Sequence, residues 1–150
     1  MVVFEELFLE SRGKPVEYNG RTIQMVDIVP LHTWQKVRLT FEKIGSDWKQ
    51  GVMLKSKGEF LINEQRVKNS VVLWQDSAPR TLEFEIDSKD SKEGQLEVRN
   101  VWDTGDGTVH SWHAGAAIYV EEMATGKRYH CNDGHLDDDF SDLVFTIEMI

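Results

Sequence analysis

The sequence predicts a single all-β domain over residues 1–150, built as an antiparallel β-sandwich or jelly roll. Short segments that alternate apolar and polar residues recur along the chain, and turn-forming Gly, Asp, Asn and Pro residues separate them. Their spacing of roughly 8–12 residues is typical of sandwiches and barrels. Only residues 2–9 have a pattern that suits a helix as well as a strand. A chain of 150 residues is long enough to enclose one hydrophobic core.

Ten segments have the alternation or the β-branched content that is typical of strands. In chain order they are residues 21–29, 36–43, 51–55, 59–63, 70–75, 81–86, 95–102, 116–122, 127–131 and 143–149. The first segment follows Asn19-Gly20, a dipeptide that favours a two-residue hairpin turn. The third and fourth are predicted to pair across a turn at Lys57-Gly58.

The inward faces of several segments follow from the alternation. Apolar side chains of three of these segments are expected to share the core: Val37, Leu39, Phe41, Leu82, Phe84, Ile86, Leu96 and Val98. Turn residues separate the segments at 45–47, 76–79, 87–94, 103–107 and 125–126. The last four segments flank two polar stretches that carry the functional predictions.

Charge and composition exclude several classes of partner. The formal net charge is −9 and no Lys/Arg cluster is present, which disfavours binding to nucleic acid or to an anionic membrane surface. Cys131 is the only cysteine, so an internal disulfide cannot form. The first residues carry acids where a signal peptide has a basic region. These features favour a cytoplasmic location and leave an extracellular one open.

The densest acidic segment lies before the last predicted strand, where residues 131–150 read CNDGHLDDDFSDLVFTIEMI. Two like unit charges about 4 Å apart repel by about 1 kcal/mol in water, and by several times more where they are partly buried. A divalent cation reverses the sign of this interaction, and calcium accepts about six to eight oxygen ligands. The predicted metal ligands are Asp137, Asp139, Asp142, Ser141, Asp133 and Asn132. The alternative is a solvated acidic turn that keeps an edge strand soluble.

The stretch DGHLDDDFSDLVFTI, residues 133–147, resembles the calcium loop of the bacterial two-calcium lectins that bind fucose and mannose. It is also similar to the D-x-D-[FY]-N-D segment of secreted bacterial β-domains thought to bind calcium. In this resemblance Asp137, Asp139 and Asp142 correspond to the bridging carboxylates, and Phe140 corresponds to an aromatic anchor. Ser141 stands where the lectins have an asparagine ligand. The resemblance implies a small calcium-binding β-sandwich, a non-catalytic lectin-like protein that binds carbohydrate or another ligand.

A second polar stretch, VWDTGDGTVHSWHAGAAIYVEE at residues 101–122, combines aromatic rings with acids and histidines. Sugar sites commonly pair an aromatic face with a few placed polar groups. The predicted ligand-binding residues are Trp102, Asp103, Asp106, His110, Trp112 and His113. The alternative is that the tryptophans belong to the core and the histidines to a surface loop, since Trp is highly buried on average.

Two other classes of function are weighed. The four histidines at 110, 113, 130 and 135 suggest a metal-dependent, cupin-like enzyme, but the His-x-His and glutamate spacing of cupins is missing, so no catalytic residue is assigned. An acidic interaction domain is the other class, because a charge of −9 would steer a basic protein partner. Trp48 and residues 73–76 would then supply aromatic anchors. The sequence leaves a homodimer open.

Overall fold

The computed structural model describes residues 3–88 and 94–150, and it confirms the all-β class. Within these residues one helix and eleven strands are found, and the strands pair antiparallel throughout. The elements are α1 (Phe4–Glu10), β1 (Val16–Tyr18), β2 (Arg21–Gln24), β3 (Asp27–Pro30), β4 (Trp34–Ile44), β5 (Lys49–Ile62), β6 (Gln65–Trp74), β7 (Thr81–Asp87), β8 (Gln95–Asp103), β9 (Ala117–Glu122), β10 (Gly126–Asn132) and β11 (Leu143–Met149).

Hydrogen bonds join the described strands into one curled sheet, so the division into a sandwich or jelly roll stays a prediction. The strand order is β1-β2-β9-β10-β11-β4-β7-β5-β8-β3, with β6 paired to β5. The curl brings the far end of the sheet back to its middle. Asp27, at the start of β3, accepts hydrogen bonds from Lys127 Nζ at 3.1 Å and Tyr129 Oη at 2.7 Å on β10.

The main core lies inside this curl, and the predicted inward faces are confirmed. It draws buried side chains from β3 to β5 and from β7 to β11. The eight apolar residues expected to share the core are all at most 9% exposed. Full burial of a Val, Leu, Ile or Phe side chain contributes about 1.5–3 kcal/mol, so these faces hold the sheet in its curled form.

The predicted strand over residues 21–29 is wrong as a single element. Asn19 and Gly20 have φ values of 49° and 78° and form the expected two-residue turn between β1 and β2. However, β2 pairs with β9, whereas β3 pairs with β8 at the other end of the sheet. Alternation of side chains continues through such a change of partner, so the pattern alone could not reveal the break.

The predicted turn at Lys57-Gly58 is also wrong, because β5 runs through it as one strand. The register of β5 against β6 shifts between Lys55 and Glu59, and the real hairpin turn is at Asn63-Glu64. Gly58 is needed for close approach rather than for turning. A Cβ atom at this position would lie 2.0 Å from the carbonyl oxygen of Asp87. As a consequence β6 begins at Gln65, earlier than the predicted 70.

The amino-terminal segment is a helix. Phe4 and Phe8 of α1 are buried and form a second small core. Phe140, from the acidic segment, belongs to the same cluster. Among the described residues no helix is long and apolar enough to cross a membrane. The predicted turn at 87–94 includes residues 89–93, which lie outside the described residues.

Candidate cation site in the acidic loop

The acidic loop, residues 133–142, connects the paired strands β10 and β11. Its ends are held by the backbone, because Asp142 N donates to Cys131 O at 3.1 Å and Gly45 N donates to Asp142 O at 3.0 Å. Leu143, the first residue of β11, is fully buried and pairs with Cys131. The loop therefore begins and ends at rigid positions of the sheet.

Asn132 organises the loop from within. Its side chain is fully buried, its Nδ2 donates to Asp137 O at 2.7 Å, and its Oδ1 accepts from Phe140 N at 2.7 Å. Asn100 Nδ2 donates in turn to Asn132 O at 2.9 Å, which ties the loop to β8. The side-chain amide of Asn132, which was predicted to be a metal ligand, therefore binds the loop backbone in this structure.

The carboxylate of Asp133 also binds groups of the protein itself. Its Oδ2 accepts from Ser46 Oγ at 2.5 Å and Gln50 Nε2 at 2.9 Å, and its Oδ1 accepts from His135 N at 2.9 Å. Burial by itself would raise the pKa of Asp133, but the hydrogen bonds from Ser46 and His135 outweigh it and lower that pKa. Asp133 therefore carries a negative charge, and it lies outside the group described next.

Asp137, Asp139 and Asp142, the aspartate triad, form the only group of three or more His, Cys, Asp or Glu side chains found close enough to hold an ion in the described residues. One carboxylate oxygen from each lies within 4.8 Å of the other two. Their exposure is graded, since Asp142 is buried, Asp137 is half-buried and Asp139 is exposed. The triad forms a path of oxygens from the base of the loop to solvent.

One oxygen of the triad has no protein partner. Asp137 Oδ1 is buried and accepts no hydrogen bond. The other two aspartates are fixed, because Asp142 Oδ2 accepts from Asp133 N at 2.9 Å and Asp139 Oδ1 accepts from Ser141 N at 3.1 Å. A buried acceptor without a partner costs roughly 1–3 kcal/mol, so the site favours a group that can satisfy it.

The electrostatics of the triad are unfavourable in the absence of a cation. Burial, together with repulsion from Asp133, Asp137 and Asp139, raises the pKa of Asp142 to about 7. A hydrogen bond from the Asp133 backbone opposes this rise. Burial and repulsion from Asp139 likewise raise the pKa of Asp137. Both shifts mean that the fold destabilises the ionised carboxylates, which a positive ion would reverse.

Phe140 anchors the loop at the cost of backbone strain. It is 3% exposed and packs against Phe4 and Tyr119, with ring centroids 5.7 and 5.3 Å away. Its φ of 52° lies in the left-handed region, which costs a non-glycine residue about 1–2 kcal/mol. Asp138, two residues earlier, is exposed and accepts a hydrogen bond from Tyr18 Oη at 3.0 Å. Phe140 thus fixes the middle of the acidic loop to the second small core.

The second polar stretch lies beside the acidic loop. A Cβ on Gly134 would lie 3.0 Å from the Trp102 ring, and Gly115 N donates to Gly134 O at 3.4 Å. The His135 ring stacks on Trp48 at 3.8 Å. The two stretches predicted to carry function therefore share one end of the curled sheet.

Within that stretch the predicted aromatic platform is smaller than expected. Trp102 is 1% exposed, so it offers no open ring face to a ligand. Its burial fits the alternative that the tryptophan belongs to the core. Trp112 is 37% exposed and remains available to a ligand. Asp103 Oδ1 accepts from Gly105 N and Gly107 N, and Asp106 Oδ1 accepts from Thr108 N. These two aspartates shape the turn.

Sequence reasoning missed the residues that support the loop from other strands. Ser46, Gln50 and Asn100 bind its backbone or Asp133, and Trp48 stacks on His135. The available signal was weak: Gln50 and Asn100 are polar residues at buried strand positions, which can be read from the alternation only once the register is known.

Comparison with known proteins does not assign the chain to a family. No protein-family model matches the chain, and no match to it was found among curated proteins or solved structures. The likeness of residues 133–147 to the lectin loop stays a prediction. Function is therefore inferred from the geometry of the described residues.

Proposed function

We propose that the acidic loop binds one divalent cation, calcium, and that the protein is a non-catalytic, lectin-like binder of carbohydrate or a comparable neutral ligand. The observation that carries the first part is the convergence of Asp137, Asp139 and Asp142 within 4.8 Å. Calcium lies about 2.3–2.6 Å from its oxygens, so two ligands on opposite sides of it are about 5 Å apart. The triad can therefore contact one calcium ion without a large rearrangement.

The state of the individual oxygens supports the same proposal. Asp137 Oδ1 is buried without a partner, and the pKa of Asp142 is raised to about 7 by burial and by neighbouring carboxylates. A doubly charged ion would satisfy the first and compensate the second. The solvated-turn alternative accounts for exposed Asp139 but leaves the unpartnered buried oxygen of Asp137 and the raised pKa of Asp142 unexplained.

The donor set favours calcium over softer metals. The triad offers oxygen only, the Cys131 thiol faces the main core, and His135 contacts Asp133 through Nδ1 at 2.7 Å. Transition metals prefer nitrogen or sulfur ligands. Magnesium keeps most of its water and demands stricter octahedral geometry, whereas calcium tolerates an irregular set of carboxylates completed by water.

The lectin-like part of the proposal is supported by what surrounds the triad. Trp112 presents a partly open ring on residues 104–116, the segment that contacts the acidic loop through Gly115 and Gly134. An exposed aromatic ring on a segment that contacts a cation-binding loop is a combination that suits a sugar, because the ring stacks on C–H surface and the ion binds hydroxyls.

Calorimetric titration of calcium into metal-free protein tests the cation site. We expect one saturable site in the wild type and at least a tenfold loss of affinity in Asp139→Asn, because that change removes a charged ligand without altering the buried scaffold. Asp138→Asn is the matched control, since Asp138 is a neighbouring exposed aspartate outside the triad. No saturable calcium binding, or an equal loss of affinity in the control variant, would contradict the proposal.

Tryptophan fluorescence tests the ligand-binding part and separates the alternatives. A lectin-like protein should change its fluorescence with fucose or mannose when calcium is present and not when it is chelated, and Trp112→Ala should abolish the response. A response to sugar without calcium contradicts the proposed role of the ion. Substrate turnover with a bound transition metal would instead favour the enzyme, and absence of any sugar response would favour the interaction domain.

A further inference from the structure

Two histidines outside the acidic loop bring ring nitrogens together. His113 Nε2 lies 3.2 Å from His110 Nδ1, on the segment between β8 and β9. Both rings are half-buried, and the triad, which offers oxygen donors only, lies on a different loop. This histidine pair is not used by the proposed calcium site, so its convergence calls for its own explanation.

The backbone fixes the first histidine firmly. His110 forms an isolated antiparallel bridge with Trp102, donating to Trp102 O at 2.9 Å and accepting from Trp102 N at 3.1 Å. His110 is thereby attached to a buried residue of β8. Its position is set by the sheet, although it belongs to a loop.

Left-handed backbone conformations accompany the approach of the second histidine, His113, to His110. Trp112 and Ala114 both have φ values of 55°, in the left-handed region, on either side of His113. Such conformations are unfavourable for non-glycine residues, and they are concentrated at functional sites. His113 N also donates to Ser111 O at 2.7 Å. Two strained residues therefore accompany the geometry that brings the nitrogens together.

Ring packing keeps the pair in place. The centroid of the Trp102 ring lies 5.2 Å from that of His113 and 6.1 Å from that of His110, and the two imidazoles meet edge to face at 5.2 Å. A preorganised pair binds a ligand more tightly than a mobile one, because less side-chain entropy is lost on binding.

We infer that His110 and His113 chelate one divalent transition-metal ion, of the class of Ni²⁺, Cu²⁺ and Zn²⁺. Zinc lies about 2.0–2.1 Å from imidazole nitrogen, so two tetrahedral ligands are about 3.3–3.4 Å apart, and cis ligands of a square-planar ion are about 2.9 Å apart. The observed 3.2 Å lies between these values. A single imidazole–imidazole hydrogen bond is the competing account of the contact.

Water completes the shell of the ion. Among the described residues no third His, Cys, Asp or Glu side chain joins the pair in a group close enough to share one ion. Affinity should therefore be lower than at a closed zinc site with four protein ligands, and should follow the order Cu²⁺ above Ni²⁺, which imidazole sites generally show. The ion would lie close to Trp102, whose fluorescence and NMR signals report on it.

Calorimetric titration of Ni²⁺ into tag-free protein at pH 7.5 tests the inference. We expect one saturable site whose affinity falls at least tenfold in His113→Gln and in His110→Gln. His130→Gln is the matched control, because His130 is also half-buried and stacks on an aromatic ring, Tyr119, but is not part of the pair. Asp139→Asn should retain nickel binding, which separates this site from the calcium site.

A second measurement uses only the wild type and so does not depend on the folding of variants. Addition of substoichiometric Cu²⁺ should broaden the indole NMR signal of Trp102 before that of Trp34, which is exposed on β4. Absence of saturable nickel binding, retention of full affinity in His113→Gln, or copper broadening that spares Trp102 would each overturn the inference and leave a hydrogen-bonded pair.

Discussion

Two neighbouring aspartates of the acidic loop behave in opposite ways because their partners differ. Asp133 receives hydrogen bonds from Ser46, Gln50 and His135, and its pKa is lowered despite burial. Asp142 is just as buried but receives one backbone hydrogen bond, and its pKa is raised to about 7. The protein therefore stabilises the charge on Asp133 and leaves a charge on Asp142 uncompensated, which the proposed cation would balance.

This contrast predicts how stability depends on pH without a cation. The folded-state pKa of Asp142 lies above its ordinary value of 3.8, so folded Asp142 retains a proton that the unfolded chain releases between about pH 4 and pH 7. The free energy of unfolding should fall as the pH rises through this interval. Burial would lower the pKa of His135, but the contact with Asp133 outweighs it and raises that pKa. This shift also makes stability fall as the pH rises above 6.5.

Urea unfolding in chelator from pH 5 to pH 8 measures this dependence. Asp142→Asn should flatten the decline and raise stability at pH 8, because an amide can still accept the hydrogen bond from Asp133 N. Calcium should reduce the decline in the wild type and not in the variant. Stability that rises with pH in chelator would contradict the assignment of Asp142 as an uncompensated buried carboxylate.

The sequence predicted the three aspartates that converge in the triad. It did not predict which nearby residues hold the loop and which are left to bind a ligand. The density of carboxylates at 137–142 is visible in the sequence, and so is the aromatic residue among them. Whether Asn132 and Asp133 bind a ligand or the protein depends on Ser46, Gln50 and Asn100, which come from distant parts of the chain. Local sequence patterns cannot supply contacts of that kind.

At the scale of the element, β5 explains why a glycine was misread. Gly58 lies where β5 changes partner from β8 to β7, and its missing side chain lets the end of β7 approach. Turn-forming dipeptides and close approach both require glycine, so the sequence signal is the same. The pairing partner decides between them, and that is a property of the sheet.

Gly58→Ala should destabilise the protein by about 1–3 kcal/mol, the usual range for an overpacked buried site. A Cβ there would meet Asp87 O at 2.0 Å and Ser88 Cα at 2.7 Å, both backbone atoms that move only with the strand. Lys57→Ala, at the exposed neighbouring position, is the control and should change the unfolding midpoint little. Equal midpoints for the two variants in urea would contradict this reading of the bulge.

The whole molecule follows from how the sheet closes on itself. Burial of alternate residues was predictable on β4, β7 and β8, because each has one face in the core. The split of residues 21–29 was not, since β2 and β3 lie near opposite ends of the strand order. Long-range pairing is set by the total burial and register of all strands together.

Closure also places the two candidate sites at one end of the molecule. The hairpin β10–β11 supplies the aspartate triad, β8 supplies Trp102, and the segment between β8 and β9 supplies the histidine pair. The sequence stretches that attracted attention separately are thus neighbours in space, through Gly115 and Gly134. A ligand bound at this end could contact both loops.

Thermal unfolding with and without calcium tests the central claim most directly, because only a site in the folded state shifts the equilibrium. Calcium at 100 times its dissociation constant should add about 2.7 kcal/mol, which raises the midpoint by roughly 5–10 °C for a chain of this size. Asp138→Asn should keep this shift and Asp139→Asn should lose most of it. An unchanged midpoint for the wild type in millimolar calcium would contradict a cation site in the acidic loop.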